Sequence, residues 1–235
     1  MLEVSGLSAG YGRIPVLRNI ALSAKRGELL LILGRNGAGK STLLRSISGF
    51  VKPTAGAIRF DGEDLRGLAP EAIARRGLRL VLDGHRIFPQ LTVADNLRLG
   101  AVINRDRAKA RLLTERVLDL FAILRQKYKS LARDLSGGQQ QMLALAQAFI
   151  GEPKALLCDE PSLGLAQAIV PPIMTFLKNW ASEGAAIVMV EQQIDLALSV
   201  ADRVIVMERG EIVLSDTADA VRANPLLKEI YLGTI

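Results

Sequence analysis

"ELLLILGRNGAGKSTLL", Glu28–Leu44, decides the fold. Leu29–Leu33 is an unbroken aliphatic run of the length of a strand buried on both faces. Glycines break it, and a helical pattern follows to about Gly49. Gly34–Ser41 fits G-x-x-x-x-G-K-[ST] and lies where such a loop must lie, between a buried strand and a helix. The spacing of Gly34, Gly37 and Gly39 does not fit the dinucleotide pattern G-x-G-x-x-G. Glycines let a loop wrap so that the N–H groups of Gly34, Arg35, Asn36, Gly37, Ala38 and Gly39 can face phosphate oxygens. The following helix end adds its positive dipole. Lys40 places a cation on the β/γ-phosphates, Ser41 offers a hydroxyl to Mg²⁺, and Thr42 completes the set.

The same strand-then-helix grammar continues downstream. "LLCDE", Leu156–Glu160, is an apolar run that ends in two acids, and "IVMVEQQID", Ile187–Asp195, runs into a Glu and two Gln. Polar groups at the C-terminal end of a buried strand face whatever crevice lies there. Asp159 is placed to hold the Mg²⁺ shell, and Glu160 to orient or deprotonate an attacking water. Further strands are expected at 2–4, 20–24, 57–62, 78–82 and 203–208, and helices at 70–77, about 166–181 and 192–200. Between Gly84 and Glu152 the texture changes: Leu113, Val117, Phe121 and Leu124 recur at helical spacing and no buried strand is evident. The expectation is one α/β domain with a mainly parallel sheet. Residues 1–83 and 153–235 would form the nucleotide-binding core, and 84–152 an inserted helical lobe.

Composition narrows the classes. The 235 residues are 49% hydrophobic, enough for a sizeable core. No apolar run approaches the ~18–20 residues that cross a bilayer, and the start carries no secretory pattern, so a soluble, cytoplasmic chain is expected. The single Cys158 rules out an internal disulfide and any multi-Cys metal site, and reads as a small buried hydrophobe. The net charge of +6 suits polyphosphate, nucleic acid or an anionic surface, but 4% aromatics are too few for a base-stacking platform, and no nucleic-acid partner is expected.

"LSGGQQQ", Leu135–Gln141, narrows the class further. Ser136 could simply cap a helix, but a helix end built from Ser136, Gly137, Gly138 and Gln139 also leaves N–H groups open to a phosphate. Together with Gly34–Ser41 and "LLCDEPSLGL", it makes the chain resemble the ATP-binding-cassette ATPases along essentially all its length. The resemblance implies a P-loop, RecA-like core with an N-terminal antiparallel β subdomain, ATP and Mg²⁺ as cofactors, and head-to-tail pairing of two cassettes. Ser136–Gln139 of one subunit would then close over ATP held by Gly34–Ser41 of the other. It implies also that Tyr11 stacks on adenine and that Ser162–Leu165 crosses between the two sites.

Two positions depart from the common pattern. "LVLDGHRIFP" puts Asp83 where a Gln is usual, and "VEQQ" puts Gln192 where a His is usual. Asp83 can face a phosphate only across Mg²⁺, which makes it a candidate for the metal shell. His85 reads as a surface or lobe-contact residue. "GRNGAGKSTLL", "FPQLTVADNL", "DEPSLGLA" and "VEQ" together resemble the shorter ATPase subunit of high-affinity branched-chain amino acid importers and their urea or amide relatives. The alternative is the ATPase of an exporter or lipid extractor. Ser41 and Ser136 stand too close in sequence for the coiled coil of DNA-repair relatives, and a small-molecule kinase would not need Leu135–Gln139. The implied partners are two membrane permease subunits, a second ATPase subunit in a homo- or heterodimer and, indirectly, a periplasmic solute-binding protein. The implied location is peripheral, on the cytoplasmic face of the inner or plasma membrane.

An amide does not titrate near neutrality, whereas an imidazole does. ATP hydrolysis followed from pH 6 to 8 should therefore show no inflection from Gln192, and Gln192→His should introduce one; two superimposable profiles would remove this position from the chemistry.

Overall fold

The computed structural model describes residues 1–82, 87–102, 104, 106–192 and 194–223. The chain opens with a hairpin, β1 (Leu2–Tyr11) and β2 (Ile14–Ala24), closed at the pair Tyr11↔Ile14. On its other edge β1 pairs antiparallel with β4 (Pro53–Phe60), which pairs with the short β5 (Glu63–Asp64). The order β2-β1-β4-β5 makes an antiparallel sheet of four strands. β1 extends well beyond the expected 2–4 because bulges interrupt its alternation, at the shifts Val4/Leu7, Leu7/Ala9 and Ala9/Gly10.

The second sheet has the order β10-β9-β3-β8-β7-β6. Its centre is β3 (Leu29–Leu33), parallel both to β8 (Ala186–Val190) and to β9 (Arg203–Glu208). β7 (Ala155–Asp159) and β6 (Leu78–Val81) continue the parallel set, and β10 (Glu211–Thr217) closes the far edge antiparallel to β9. The apolar runs are continuous because each strand feeds two cores. Leu29, Leu31 and Leu33 face one together with Leu156, Cys158, Ile187 and Met189. Leu30 and Ile32 face the other with Leu157, Val188 and the small sheet. A strand buried on both faces has no polar side to show. Cys158 is fully buried, and burial pushes its thiol far above the ordinary range, so it is a core filler and not a nucleophile.

Helices α1 (Lys40–Ile47) and α2 (Pro70–Arg75) precede β6. Between β6 and β7 come α3 (Val93–Ala101), α4 (Arg107–Leu120), α5 (Ala122–Gln126) and α6 (Gly137–Ile150), with no strand of either sheet among the described residues. Thr92 caps α3 by accepting from the Asp95 N–H, and Asp106 caps α4 by accepting from the Lys109 N–H. α7 (Val170–Ser182), α8 (Ile194–Val200) and α9 (Ala218–Ala223) follow β7, β8 and β10. α7 starts later than the expected 166 because Pro171 and Pro172 fit only a first turn.

An aromatic cluster ties α6 to α7. Phe176 stands 5.2 Å from Phe149, 5.3 Å from Phe121 and 5.6 Å from Trp180 between ring centroids, and Phe149 meets Trp180 edge-on at 5.0 Å. Such pairs add to the area they bury. Phe176→Ala should cost about 3–5 kcal/mol. Urea unfolding followed by the emission of Trp180, the chain's single Trp, measures this, and a midpoint within error of the parent would place Phe176 outside the cooperative core.

Candidate functional site

Parallel pairing sets the ends of β3, β7 and β8 side by side. Ile32 is level with Val190, and Val190 with Asp159. The residues that follow each strand, Gly34, Glu160 and Glu191, therefore emerge at one edge of the sheet, the side where ligands of such sheets sit.

Gly34 turns the chain at φ 152°, and a Cβ there would stand 2.3 Å from the Met207 carbonyl oxygen. Gly39, at φ 102°, is the N-cap of α1 and offers no side-chain cap. The first helical bond runs from the Leu43 N–H to the Gly39 carbonyl, and no acid lies in the first turn. The N–H groups of Lys40, Ser41 and Thr42 thus have no helical partner, which leaves the positive end of α1 open to an anion. Lys40 is buried, and its ammonium donates to the carbonyls of Gly34 (2.7 Å) and Arg35 (3.3 Å). Burial lowers its pKa, opposed by the nearby charges of Glu160 and Asp159. Ser41 Oγ donates to Asp159 Oδ1 at 3.0 Å, and Asp159 is only 2% exposed. Lys40, Ser41, Asp159 and Glu160 thus form one group.

Glu160 follows β7 at φ 49°, in the left-handed region that non-glycine residues rarely occupy. Its N–H donates to the Val190 carbonyl at 3.0 Å, which extends the β7–β8 pairing by one step while the side chain leaves the strand direction. Strain of this kind concentrates at functional sites. Across the sheet, Leu33, Gly34, Arg35, Asn36, Glu191, Gln192 and Ile194 line a cleft of about 380 Å³, so Gln192 shares a wall with the cradle.

Tyr11 stands beside the first turn of α1. Its phenol is held below its ordinary pKa, first by a hydrogen bond with Thr42 and then by Arg45. The ring is half exposed. Ser136, Gly137, Gly138 and Gln139 are elsewhere: they open α6 and do not line the cleft. Ser136 and Gln139 form a reciprocal capping box, so the Ser136 hydroxyl is committed to the helix, and Gly137 and Gly138 present the open N–H groups. Ser136 and Gly137 are exposed. Asp83 and His85 lie outside the described residues.

Glu191 and Ser162, each noted in the sequence only as part of a motif, meet here. Glu191 is 2% exposed and accepts hydrogen bonds from both the N–H and the hydroxyl of Ser162. An acid set directly after a wholly apolar run was the available signal.

The ABC-transporter family profile matches residues 17–163. The chain belongs to the ABC transporter family. It is an ATP-binding, ATP-hydrolysing cassette of that family. It is 41% identical, over 99% of its length and 100% of the relative's, to the high-affinity branched-chain amino acid transport ATP-binding protein BraG of Pseudomonas aeruginosa. It is 38% identical over 95% of its length to the sulfate/thiosulfate import ATP-binding protein CysA 2 of Chromobacterium violaceum, of which it spans 60%. Among solved structures it resembles an ATP-binding subunit of an ABC transporter, with TM-score 0.87 and 29% identity over 99% of this chain and 96% of that one. It also resembles a dimeric ATP-binding cassette with ADP and Pi in a post-hydrolysis state, with TM-score 0.82 and 27% identity over 93% and 99%.

Because a Cβ at position 34 has nowhere to go, Gly34→Ala should displace the cradle. Affinity for ATP, titrated with a fluorescent analogue, should fall about 5- to 150-fold, the equivalent of the ~1–3 kcal/mol of strain it introduces. Parental affinity would mean that the loop closes on phosphate by another geometry.

Proposed function

We propose that the chain is the ATPase subunit of an importer for branched-chain amino acids or related small polar solutes. The single observation that carries this is end-to-end identity with BraG at 41%, over 99% of this chain and 100% of that one. The chain would work as one half of a head-to-tail pair, homo- or heterodimeric, at the cytoplasmic face of the membrane. No described helix is long and apolar enough to cross a membrane, so separate permease subunits would supply the path. A groove of about 490 Å³ between β6 and helices α3 and α6 would receive a permease segment. Its lining includes Leu80, Leu82 and the well-exposed Phe50, Phe88 and Val102. A periplasmic solute-binding protein would deliver the solute to the permeases.

The donor set suits Mg²⁺. Ser41 Oγ and Asp159 Oδ1 are hard oxygen donors already in contact, and no cluster of three or more acids, His or Cys that could cage a metal exists among the described residues. Mg²⁺ typically takes one or two protein oxygens and completes its shell with phosphate and water. Bound there with ATP, it would neutralise charge on the β- and γ-phosphates. Asp83 is the further candidate for that shell.

Lys40 would exchange its two carbonyl partners for phosphate oxygens and hold the γ-phosphate against the N–H groups of Gly37–Thr42. Tyr11 would cover the adenine. Glu160 would accept a proton from the attacking water, and Gln192 would orient that water or the γ-phosphate through its amide. Ser136–Gln139 of the second subunit would close the far side with the N–H groups of Gly137 and Gly138.

Glu160→Gln should leave ATP binding intact and slow hydrolysis by about 10²–10⁴, the worth of a positioned base. It should also trap an ATP-bound dimer, visible as a mass doubling in light scattering. Near-parental turnover in the assembled transporter would remove Glu160 from this role, and uptake of an unrelated solute by the reconstituted complex would overturn the assignment of substrate class.

A further inference from the structure

Glu191 is an acid buried at the end of β8, and the catalytic scheme gives it no part. Buried carboxylates are costly unless their oxygens are fully engaged. Those of Glu191 are: Oε1 accepts the Ser162 N–H at 2.8 Å, and Oε2 accepts the Ser162 hydroxyl at 2.7 Å and the Gln192 N–H at 3.1 Å. Ser162, itself 1% exposed, lies two residues after Glu160, across Pro161. One carboxylate therefore joins two segments of backbone, the turn that carries Glu160 and the strand end that carries Gln192.

The grip has work to do. Glu160 sits at φ 49°, a conformation that surrounding structure must impose. Three ties impose it: the Glu160 N–H to the Val190 carbonyl before the turn, the Leu163 N–H to the Glu160 carbonyl at 3.1 Å within it, and Ser162 to Glu191, the tie that reaches across to β8 through a side chain. We propose that Glu191 and Ser162 are positioning residues for hydrolysis, a clamp that fixes the Glu160 carboxylate and the Gln192 amide relative to each other. The proposal rests on the reading of Glu160 and Gln192 as the groups that face the attacking water. Neither clamp residue touches nucleotide in this scheme; both act on turnover through the two residues they hold.

The carboxylate accepts at both oxygens, and an amide can accept at only one. Glu191→Gln must therefore turn its NH₂ either toward the Ser162 N–H or toward the Gln192 N–H, and one of the two backbone ties is lost. Small misplacements of catalytic groups cost up to about a hundredfold. In the purified subunit and in the reconstituted transporter, Glu191→Gln should lower kcat by about tenfold to a hundredfold with the KM for ATP changed less than about twofold. Ser162→Ala removes one of the three contacts and should lower kcat less, and the double variant should lose no more than Glu191→Gln alone. In a Glu160→Gln background, Glu191→Gln should add little. Parental kcat in folded Glu191→Gln overturns the clamp. So does a loss that multiplies fully with Glu160→Gln, or a fall in thermal stability with kcat per folded molecule unchanged. If Glu191→Gln does not fold, Ser162→Ala decides: reduced kcat at parental KM supports the clamp, and parental kcat overturns it. Glu160→Gln alone keeps the two readings apart. Retained turnover there, beside a kcat loss in Glu191→Gln, would remove the base and leave a clamp acting through Gln192. Lost turnover there, beside a parental Glu191→Gln, would remove the clamp and leave the base.

Discussion

The parallel pairing of β3, β8 and β7 is the constraint on which the site depends. Ile32, Val190 and Asp159 stand level across three strands, so the cradle, the switch and the acids leave the sheet within one residue of each other. Nothing in the loops alone could bring Gly34, Glu160 and Glu191 together, for they are far apart in sequence. The strands can hold that register because both faces are buried. A slip of one residue would exchange Leu31 with Ile32 and present each core with the other's shapes. The hydrophobic effect thus fixes the positions of the polar groups, and hydrogen bonds at the strand ends refine them.

Charge explains the local arrangement at that edge. Asp159, Glu160 and Glu191 concentrate negative charge where a polyphosphate is to bind, and two unit charges about 5 Å apart at an effective dielectric near 20 repel by roughly 3 kcal/mol. The fold answers in three ways. Glu191 is buried, and its charge is solvated by hydrogen bonds from the Ser162 N–H and hydroxyl and the Gln192 N–H. Asp159 accepts a hydrogen bond from the Ser41 hydroxyl. In the proposed scheme Lys40 and the open end of α1 would supply positive charge against the phosphates themselves. Lys40 is kept ready by two backbone carbonyls, weak partners that a phosphate can displace.

The parts legible in the sequence are those whose chemistry is local. Gly34–Ser41 announces itself because loop, strand and helix are contiguous, and Asp159–Glu160 because an apolar run ends in acids. The family resemblance followed from such local words, and the α/β architecture from their alternation. What stayed hidden depends on pairing or on backbone angles. The length of β1 was masked by its bulges, and the late start of α7 by two prolines read as interior. The φ of Glu160 has no sequence signature, since Glu is a poor candidate for that region. The Ser162–Glu191 contact joins residues on two strand ends, and neither side chain alone suggests the other. Ser136 shows the reverse case: its capping box was readable, and it shows that the hydroxyl serves the helix while the glycines remain open.

The segment after Glu160 does more than carry Ser162. It continues through Leu165 to Ile169, and these two side chains pack against Gly138, where a Cβ would meet Ile169 at 2.9 Å and Leu165 at 3.6 Å. Gly138 therefore serves packing as well: a larger residue would require the Ile169 side chain to shift. One short stretch of chain thus leans on the cleft at one end, through Ser162 and Glu191, and on the start of the signature helix at the other. In a head-to-tail pair those two ends would belong to different nucleotide sites. A shift of the Glu160 turn would then be felt at Gly137 and Gly138 through side chains in direct contact. Packed interiors move between discrete arrangements more readily than they deform. In the proposed pair, a packed connection of this kind would link the states of the two sites.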